Sequence, residues 1–299
     1  MAENIVFQIL RSHLMEGELM PGTPIAIRVD QTLGHDLTGI MAGQTFLAVG
    51  ADRVQTEASV FYCDHNTLCV SGENADDHLF LKTAAARFGV YFSKPGNGIC
   101  HFLHCQRFAR PGKVMLGPYS YSPTSGALGM LAIGSGGLTV AEAALGQGFR
   151  MNVPKVMGVK LVGRLHPGVT AKDIALELLR QVSVKGGIGY IVEYCGDGVK
   201  ELSIRERQTI ANMSIEIGAA TGIFPSDERT GEFLKAQRRE SDYVPLQPEE
   251  GATYDKVVEI DLDRLEPLVA EPSMPDKVCT ARKAEGVKPG SVFIGSCTN

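Results

Sequence analysis

The sequence predicts an α/β protein in which helices alternate with the strands of mainly parallel sheets. Three observations support this class: short apolar runs alternate with amphipathic stretches, hydrophobic residues make up 44% of the 299 residues, and polar residues follow several apolar runs. A chain of this size can bury a large core and should form about two domains. The ends of parallel strands are where ligands bind in such folds.

The predicted elements follow from the spacing of apolar residues, taken in chain order. Helical spacing, such as Ile5, Val6, Ile9, Leu10 and Leu14, predicts helices at 4–15, 75–88, 138–145, 170–182, 205–221 and 228–238. Apolar runs predict strands at 24–30, 58–63, 113–117, 156–165, 256–261 and 291–295. Asn74 is the predicted N-cap of the second helix. Prolines and charges between Pro267 and Pro289 predict a linker before the last strand.

Composition excludes several functional classes. The net charge is -5, no basic run is present and tryptophan is absent, which argues against a nucleic-acid partner. The sequence shows no apolar leader and no run of about 18 apolar residues, so we expect no membrane partner. Seven cysteines, an odd number without a Cys-x-x-Cys pair, favour a reducing compartment, and we expect a cytoplasmic location.

Two histidine segments are candidates for acid/base chemistry. Asp64 and His65 directly follow a predicted strand, and a histidine held by a carboxylate is an oriented acid or base near neutral pH. The alternative is a capping aspartate beside a partly exposed histidine. His101 follows a glycine-rich turn, and with His104 and Cys105 it offers metal-ligand types. Their spacing is not a zinc signature, so structural roles are favoured for these three.

Two further segments place polar groups among apolar neighbours. Asn212 and Glu216 are four residues apart, so a continuous helix would present both on one face, although a solvated stripe is the alternative. Cys297 follows the last predicted strand at a glycine and serine turn and has the setting of an iron ligand. A single thiolate cannot hold a cluster, so we expect a partner or a missing C-terminal part to supply the other ligands.

Taken together, these segments resemble the aconitase superfamily of iron–sulfur hydro-lyases, and within it the bacterial aconitases that are similar to the mitochondrial enzyme. The resemblance covers nearly the whole chain and depends on the order and spacing of six segments. They are Ile27-Arg-Val-Asp-Gln-Thr32, Cys63-Asp-His-Asn66, Glu73-Asn-Ala-Asp-Asp-His78, Lys94-Pro-Gly-Asn-Gly-Ile-Cys-His101, Asn212-Met-Ser-Ile-Glu-Ile-Gly218 and Ile294-Gly-Ser-Cys-Thr-Asn299.

The resemblance implies aconitase-type α/β/α domains with mainly parallel sheets, packed around a [4Fe-4S] cluster, and a mobile domain. Domain 1 is expected at 1–154 and domain 2 at 155–273. Residues 274–299 would form a linker and the start of a third domain, within which the chain is truncated. The implied site consists of catalytic Asp64, His65, His101 and Glu216, substrate-binding Gln31, Ser120 and Asn212, and the metal ligand Cys297.

The function that the resemblance implies is isomerisation of citrate and isocitrate through cis-aconitate, by iron-assisted dehydration and rehydration in the tricarboxylic acid cycle. A small hydroxy-polycarboxylate would be the substrate. The missing C-terminal part, or a separate subunit, would carry the remaining cluster ligands and the mobile domain. The alternatives are a dehydratase for isopropylmalate, homocitrate or methylcitrate, and a catalytically impaired paralogue that acts by binding.

One segment departs from the family pattern. Where the family usually has glycine-x-aspartate-serine-histidine-threonine-proline, this chain has Gly117-Pro-Tyr-Ser-Tyr-Ser-Pro123. Tyr119 thus replaces the aspartate expected to partner His101, and Tyr121 replaces the histidine expected to partner Glu216. A phenol can orient a neighbour, but it supplies neither a carboxylate's charge nor a histidine's proton near neutral pH. The departure implies a changed substrate or proton route, or a weakened paralogue.

Overall fold

The computed structural model describes residues 2–298, in which helices alternate with mainly parallel strands. The predicted α/β class is therefore confirmed. Met1 and Asn299, the outermost residues of the predicted domains, lie outside the described residues. The helices are α1 (Ile5–His13), α2 (Gly39–Ala48), α3 (Gly72–Phe88), α4 (Cys100–Arg107), α5 (Gly137–Ala144), α6 (Ala171–Val182), α7 (Ile204–Met213) and α8 (Glu228–Ala236).

Fourteen strands accompany these helices within residues 2–298. They are β1 (Leu14–Glu16), β2 (Pro24–Ile27), β3 (Gln31–His35), β4 (Ala58–Tyr62), β5 (Tyr91–Ser93), β6 (Val114–Gly117), β7 (Leu131–Gly134), β8 (Phe149–Asn152), β9 (Lys155–Val162), β10 (Tyr190–Cys195), β11 (Gly222–Ile223), β12 (Lys256–Asp261), β13 (Leu268–Ala270) and β14 (Val278–Thr280). Among the described residues, no helix is both long and apolar enough to cross a membrane.

The first sheet is parallel throughout and has the strand order β5-β4-β3-β6-β7. Its central strand, β3, pairs with β4 so that His35 lies beside Tyr62. Because the strands are parallel, their carboxyl ends meet at one edge, and the loops that follow His35, Tyr62, Ser93 and Gly117 come together there. This edge carries the candidate site.

The second sheet is also parallel and has the order β11-β10-β9-β12. The chain passes from the first unit to the second between Asn152, the end of β8, and Lys155, the start of β9. Strands β1, β2 and β8 form a small antiparallel sheet beside the first unit. The division into domains at 1–154, 155–273 and 274–299 stays a proposal.

The two parallel sheets share one apolar cluster. Leu116 and Ile133 of the first sheet pack in the same cluster as Val156, Ile191 and Ile223 of the second. All five side chains are at most 4% exposed, so the boundary between the sheets is buried like the interior of a domain. Burial of this kind contributes about 25 cal/mol per Å² of apolar surface and holds the two units together.

A 3-10 helix, Ser122–Leu128, closes the boundary on one side. The amide of Phe224 donates to the carbonyl oxygen of Gly126 at 2.9 Å. A Cβ atom on Gly126 would lie 1.9 Å from the carbonyl oxygen of Gly222, so only glycine fits at this position. The backbones of the two units therefore touch directly.

Helix α1 belongs to the first unit in sequence but docks on the second. Asn4 caps it, because its Oδ1 accepts the Phe7 amide at 3.0 Å. The Nδ2 of the same asparagine donates to the carbonyl oxygen of Thr253 at 3.0 Å. Glu193 on β10 is fully buried and accepts the amide of Val6 at 3.1 Å. The N-terminal end of α1 is thus satisfied by groups that lie far along the chain.

Two predicted helix limits were wrong. Helix α3 begins at Gly72, and its N-cap is Ser71 rather than Asn74, since the Ser71 hydroxyl accepts the Asn74 amide at 3.4 Å. The predicted helix at 205–221 ends at Met213, where a 3-10 turn, Ser214–Ile217, replaces it. The Ser214 hydroxyl bonds back to the Ile210 carbonyl, a bond that competes with continued α-helix.

Two predictions near the C-terminal end also differ from the structure. The stretch at 267–289, predicted as a linker, contains the antiparallel hairpin of β13 and β14, whose pairing a composition rich in proline and charge does not reveal. The strand predicted at 291–295 is not formed. Its apolar residues Val292, Phe293 and Ile294 are 73%, 89% and 93% exposed, and no described strand pairs with them. A strand requires a partner, whatever its own residues favour.

Candidate functional site

The Asp64 and His65 loop is fixed by a carboxylate from the neighbouring strand. Asp36, which follows β3, is 1% exposed and accepts the amides of His65 at 3.0 Å and Asn66 at 2.7 Å. His65 Nδ1 lies 2.9 Å from Asp64 Oδ1, and the other Asp64 oxygen accepts the Cys100 amide at 2.6 Å. An ionised carboxylate only accepts, so Nδ1 of His65 carries the hydrogen.

This geometry favours a charged pair. The hydrogen bond to Asp64 raises the pKa of His65 and outweighs the opposing effect of burial. Burial alone would raise the pKa of Asp64, but the hydrogen bonds from His65 and from the Cys100 amide outweigh it and lower that pKa. His65 is therefore an oriented proton donor, and Asp64 holds it in place.

His101 is the opposite kind of histidine. It lies in the first turn of α4, is 1% exposed, and its Nε2 is 2.8 Å from the carbonyl oxygen of Cys297. Burial lowers the pKa of His101 to about 4. Since a carbonyl oxygen accepts, Nε2 carries the hydrogen and Nδ1 offers a lone pair. Among the described residues, nothing donates to that buried Nδ1. His101 is thus a neutral acceptor beside a protonated donor.

Tyr119 stands between these histidines. Its ring centre lies 5.0 Å from that of His65, 4.9 Å from that of His35 and 5.6 Å from that of His101. Tyr121 packs edge-on against it at 5.3 Å. Burial raises the pKa of both phenols, so they remain protonated and are available as hydrogen-bond donors. The residues that depart from the family pattern therefore occupy the centre of the site.

His35 is a member of this group that the sequence reasoning did not include. Its ring stacks on that of His65 at 4.0 Å with a 17° angle between planes, and it is 3% exposed. Burial, helped by the nearby His65 charge, lowers its pKa to about 4. The available signal was the His-Asp pair His35-Asp36 itself. It was missed because β3 itself was not predicted.

Cys297 and Asn212 meet at the other side of the site. Asn212, 1% exposed on α7, donates from Nδ2 to the Thr124 hydroxyl at 2.9 Å and accepts from the Thr298 hydroxyl at 3.2 Å. The Cys297 Sγ lies 4.0 Å from the Tyr119 hydroxyl oxygen. The segment that carries Cys297 is thus held between His101 and Asn212. The structure brings these residues together from widely separated parts of the chain.

Glu216 and Ser120 lie at the rim. Glu216 is half-buried in the 3-10 turn after α7, so the expected single helical face with Asn212 does not exist. After burial and Cys297, its charge is the third contribution that raises the pKa of Tyr121, which places Glu216 near that phenol. Ser120 is exposed and lines a cavity of about 450 Å³ with Tyr119 and Ile215. A small polar substrate fits in a cavity of this volume.

Gln31 is not brought to this group. It sits at the start of β3, 2% exposed, and its Oε1 lies 2.9 Å from Nε2 of His104. Its amide nitrogen donates to the carbonyl oxygen of Phe108 at 2.9 Å. Both ends of the Gln31 side chain are therefore used within the protein, and its predicted contact with substrate has no support in this geometry.

The residues that could hold a metal were considered in two groups. Ligand atoms of His35, Asp36, Asp64 and His65 lie within 4.8 Å of one another. However, the two imidazoles are stacked nearly parallel, so the lone pairs in their ring planes do not converge on one point. Asp36 already accepts the amides of residues 65 and 66. These four residues are better suited to proton transfer than to metal binding.

Cys297 is the cysteine that fits an iron cluster. Burial raises the pKa of Cys63 to about 12 and that of Cys105 to about 11, which disfavours the thiolate form that binds metals. Cys297 is half-buried and faces the site. A cluster held at Cys297 needs further ligands from outside residues 2–298.

The model of the aconitase family (aconitate hydratase) matches residues 7–288. A protein of Arthroderma benhamiae named mitochondrial aconitate hydratase is 38% identical over 98% of this chain and 41% of its own length. A protein with the same name from Gracilaria gracilis is 36% identical over 98% of this chain and 41% of its own length.

A relative with a different name matches almost as well. The mitochondrial homocitrate dehydratase of Saccharomyces cerevisiae is 35% identical over 98% of this chain and 42% of its own length. The chain therefore spans about two fifths of the length of these curated relatives.

Proposed function

This chain belongs to the aconitase family, and from that premise we propose that it is the N-terminal part of a hydro-lyase that interconverts citrate and isocitrate through cis-aconitate. The observation that carries the proposal is the oriented, charged Asp64 and His65 pair beside the neutral His101. Dehydration of a hydroxy acid needs a proton donor for the leaving hydroxyl, and this arrangement supplies one.

The chain's own residues account for part of such a mechanism. His65 would deliver its proton to the leaving hydroxyl and Asp64 would keep the ring aligned, whereas His101 would accept a hydrogen bond at Nδ1. Cys297 would hold one iron of a [4Fe-4S] cluster, together with cysteines from the missing C-terminal part or a separate subunit. When bound, that cluster would supply Lewis-acid chemistry at the substrate hydroxyl and carboxylate.

A second substrate is favoured by two observations. One relative of similar identity is named homocitrate dehydratase, and Tyr119 and Tyr121 occupy the centre of the site. Phenols supply hydrogen bonds without charge, so Tyr119 and Tyr121 would contact a hydroxy-polycarboxylate through neutral donors. Homocitrate, isopropylmalate and methylcitrate are the candidates. A catalytically impaired paralogue that acts by binding is the remaining alternative.

The test uses the complete gene product, reconstituted anaerobically with iron and sulfide. Each of the four acids is supplied, and formation of the unsaturated product is followed by its ultraviolet absorbance. We expect turnover of at least one acid, and a loss of about 10²–10⁴-fold in His65→Asn. The control is His166→Asn, which changes an exposed histidine that bonds to the Asp263 carbonyl. Absence of turnover with every acid would favour the binding paralogue.

A cytoplasmic location is part of the same proposal. All seven cysteines are free in the structure, as a reducing compartment requires. The relatives described above are named mitochondrial, and the mitochondrial matrix is the competing location. Cell fractionation with antibodies to this chain distinguishes the two.

A further inference from the structure

Cys69 lies in an arrangement that the proposed hydro-lyase function does not use. It is exposed in the loop between β4 and α3, and its Sγ is 3.5 Å from Nδ1 of His78. Nε2 of His78 is 3.4 Å from Oδ2 of the buried Asp36. A carboxylate accepts, so Nε2 carries the hydrogen and Nδ1 presents its lone pair to the thiol. A nucleophile, a base and a group that orients the base thus follow one another.

This setting distinguishes Cys69 from the other thiols in residues 2–298. Cys63, Cys100, Cys105 and Cys279 are buried, and Cys195 and Cys297 are half-buried. An ordinary thiol is mostly protonated at neutral pH, and the thiolate is the reactive form. A base within hydrogen-bond reach of an exposed thiol therefore matters more here than at a buried one.

A basic cavity adjoins the same histidine. His78 lines a cavity of about 530 Å³ together with Lys82 and Lys94, and its remaining lining residues are Leu79, Phe92, Pro95 and Asn97. No carboxylate is among these lining residues of the described chain. The volume is in the range that small-molecule sites have. Two ammonium groups in a cavity that is lined by His78, the partner of Cys69, favour a reagent that carries carboxylates.

We propose that Cys69 is a modification site that forms a mixed disulfide with an anionic low-molecular-weight disulfide bound in this cavity. Nδ1 of His78 takes the thiol proton, and the Cys69 thiolate attacks one sulfur of the reagent. A new S–S bond forms as the bond between the two reagent sulfurs breaks. The second half leaves as a thiolate and receives the proton from His78. Cys69 is oxidised and the released thiol is the reduced product, so the reagent is the oxidant.

The modification would reach the candidate active site through one carboxylate. Asp36 orients His78 and also accepts the amides of His65 and Asn66. A group attached to Cys69 separates its sulfur from His78, and a displaced His78 no longer contacts Asp36. The loop that presents His65 thus shares an anchor with the modified thiol.

The first test treats the folded chain at pH 7 with glutathione disulfide, which is anionic, or with cystamine, which is cationic, and locates the adducts by peptide mass spectrometry. We expect glutathione disulfide to modify Cys69 at least about tenfold faster than the half-buried Cys195, because burial slows attack by a thiol. We also expect Cys69 to prefer glutathione disulfide to cystamine. Equal rates at Cys69 and Cys195 would overturn the proposal. A preference of Cys69 for cystamine would overturn the claim that the reagent is anionic.

Variants separate the base from the cavity. His78→Gln should slow modification of Cys69 by roughly tenfold at pH 7 and far less at pH 9.5, where an ordinary thiol ionises unaided. His166→Gln is the control for loss of an exposed histidine. Lys82→Gln with Lys94→Gln should remove the preference for the anionic disulfide, whereas Lys172→Gln with Lys185→Gln, at exposed positions outside the cavity, should not. Unchanged rates in His78→Gln would eliminate the role of the base.

Discussion

Tyr119 lies against the rings of three histidines, and its phenol adds no charge to this group. A carboxylate at this position would stabilise a protonated His101, whereas a protonated phenol adds no charge to oppose burial. Burial is the main cause of the low pKa of His101, about 4, and the neutral phenol at a ring distance of 5.6 Å adds no charge that would oppose it. At the scale of single residues, Tyr119 therefore leaves His101 without a carboxylate at this position.

We predict that Tyr119→Asp raises the pKa of His101 by about one to three pH units, since an opposite charge at this distance favours the imidazolium. The measurement is an NMR titration of the histidine rings. Tyr119→Phe, which keeps the ring and adds no charge, should leave the pKa of His101 near its present value of about 4. If His101 titrates at the same pH in the Tyr119→Asp protein, a charge at position 119 does not control the protonation of His101.

The site residues differ in how far sequence reasoning could place them. Asp64, His65 and His101 follow apolar or glycine-rich segments, and such segments indicate strand ends and helix starts. The sequence could not show that Gln31 begins a strand and that His35 ends it. The range 24–35 contains two strands, and the pattern of residues does not mark the break between them. The role that the resemblance gives to Gln31 stays a prediction, and the structure places His35 against His65 instead.

At the scale of elements, Glu193 links strand β10 to the start of α1. Its carboxyl accepts the Val6 amide at 3.1 Å and the Tyr254 hydroxyl at 2.9 Å. These bonds favour the ionised form, but burial outweighs them and raises the pKa of Glu193 to about 7. The folded chain therefore retains a proton here that the unfolded chain loses at about pH 4.5.

A pH dependence follows from this raised pKa. The stabilising effect of the retained proton is complete below about pH 4.5 and is lost as the pH rises through about 7. Glu193→Gln has no such proton to lose. The free energy of unfolding of the variant, minus that of the parent, should thus increase by about 3 kcal/mol between pH 4.5 and pH 8.

Chemical denaturation at several pH values measures this difference. Glu259→Gln is the matched control, because Glu259 lies on β12 in an exposed ion pair with Lys160. The free energy of unfolding of Glu259→Gln, minus that of the parent, should change by less than about 1 kcal/mol between pH 4.5 and pH 8. A flat difference for Glu193→Gln would show that Glu193 is ionised in the folded chain throughout.

Element prediction succeeded where the pattern was regular and failed where tertiary contacts decide. Strand β12 was predicted with its observed limits, Lys256–Asp261, because its residues alternate between exposed and buried faces. Strand β10 was not predicted, and it contains Glu193, a buried carboxyl group that no strand pattern anticipates. The apolar residues at 291–295 form no strand because nothing in the described chain pairs with them.

For the whole molecule, the boundary between the two sheets is the critical region. Asn212 and Thr124 join across it at 2.9 Å, and Gly126 closes it. Since the candidate site takes residues from both units, a change in this boundary moves Asn212 relative to His101. The fold class and the family could be recognised from the sequence, and both are confirmed. The contact between Gly126 and Gly222 could not be predicted from the sequence.

We predict that Gly126→Ala destabilises the protein by at least about 2 kcal/mol, since the added methyl overlaps the Gly222 carbonyl and overpacking a closed contact is costly. Gly72→Ala is the control: it opens α3, has no atom within 4 Å of the added methyl, and should be neutral or stabilising by up to about 1 kcal/mol. Thermal and denaturant unfolding measure both. Equal stability of the two variants would mean that the boundary rearranges to accept the added methyl group without loss of stability.

The docking of α1 has a consequence for synthesis on the ribosome. The side chain of Asn4 bonds to Thr253, and the amide of Glu3 donates to the Glu249 carboxylate at 2.7 Å. Bacterial and eukaryotic ribosomes add about 5–20 residues per second, so these partners emerge roughly 10–50 s after the helix itself. During that interval the apolar face of α1, including Ile5 and Leu10, lacks its final neighbours. We therefore expect chaperones that cover exposed apolar surface to bind the nascent chain at this stage.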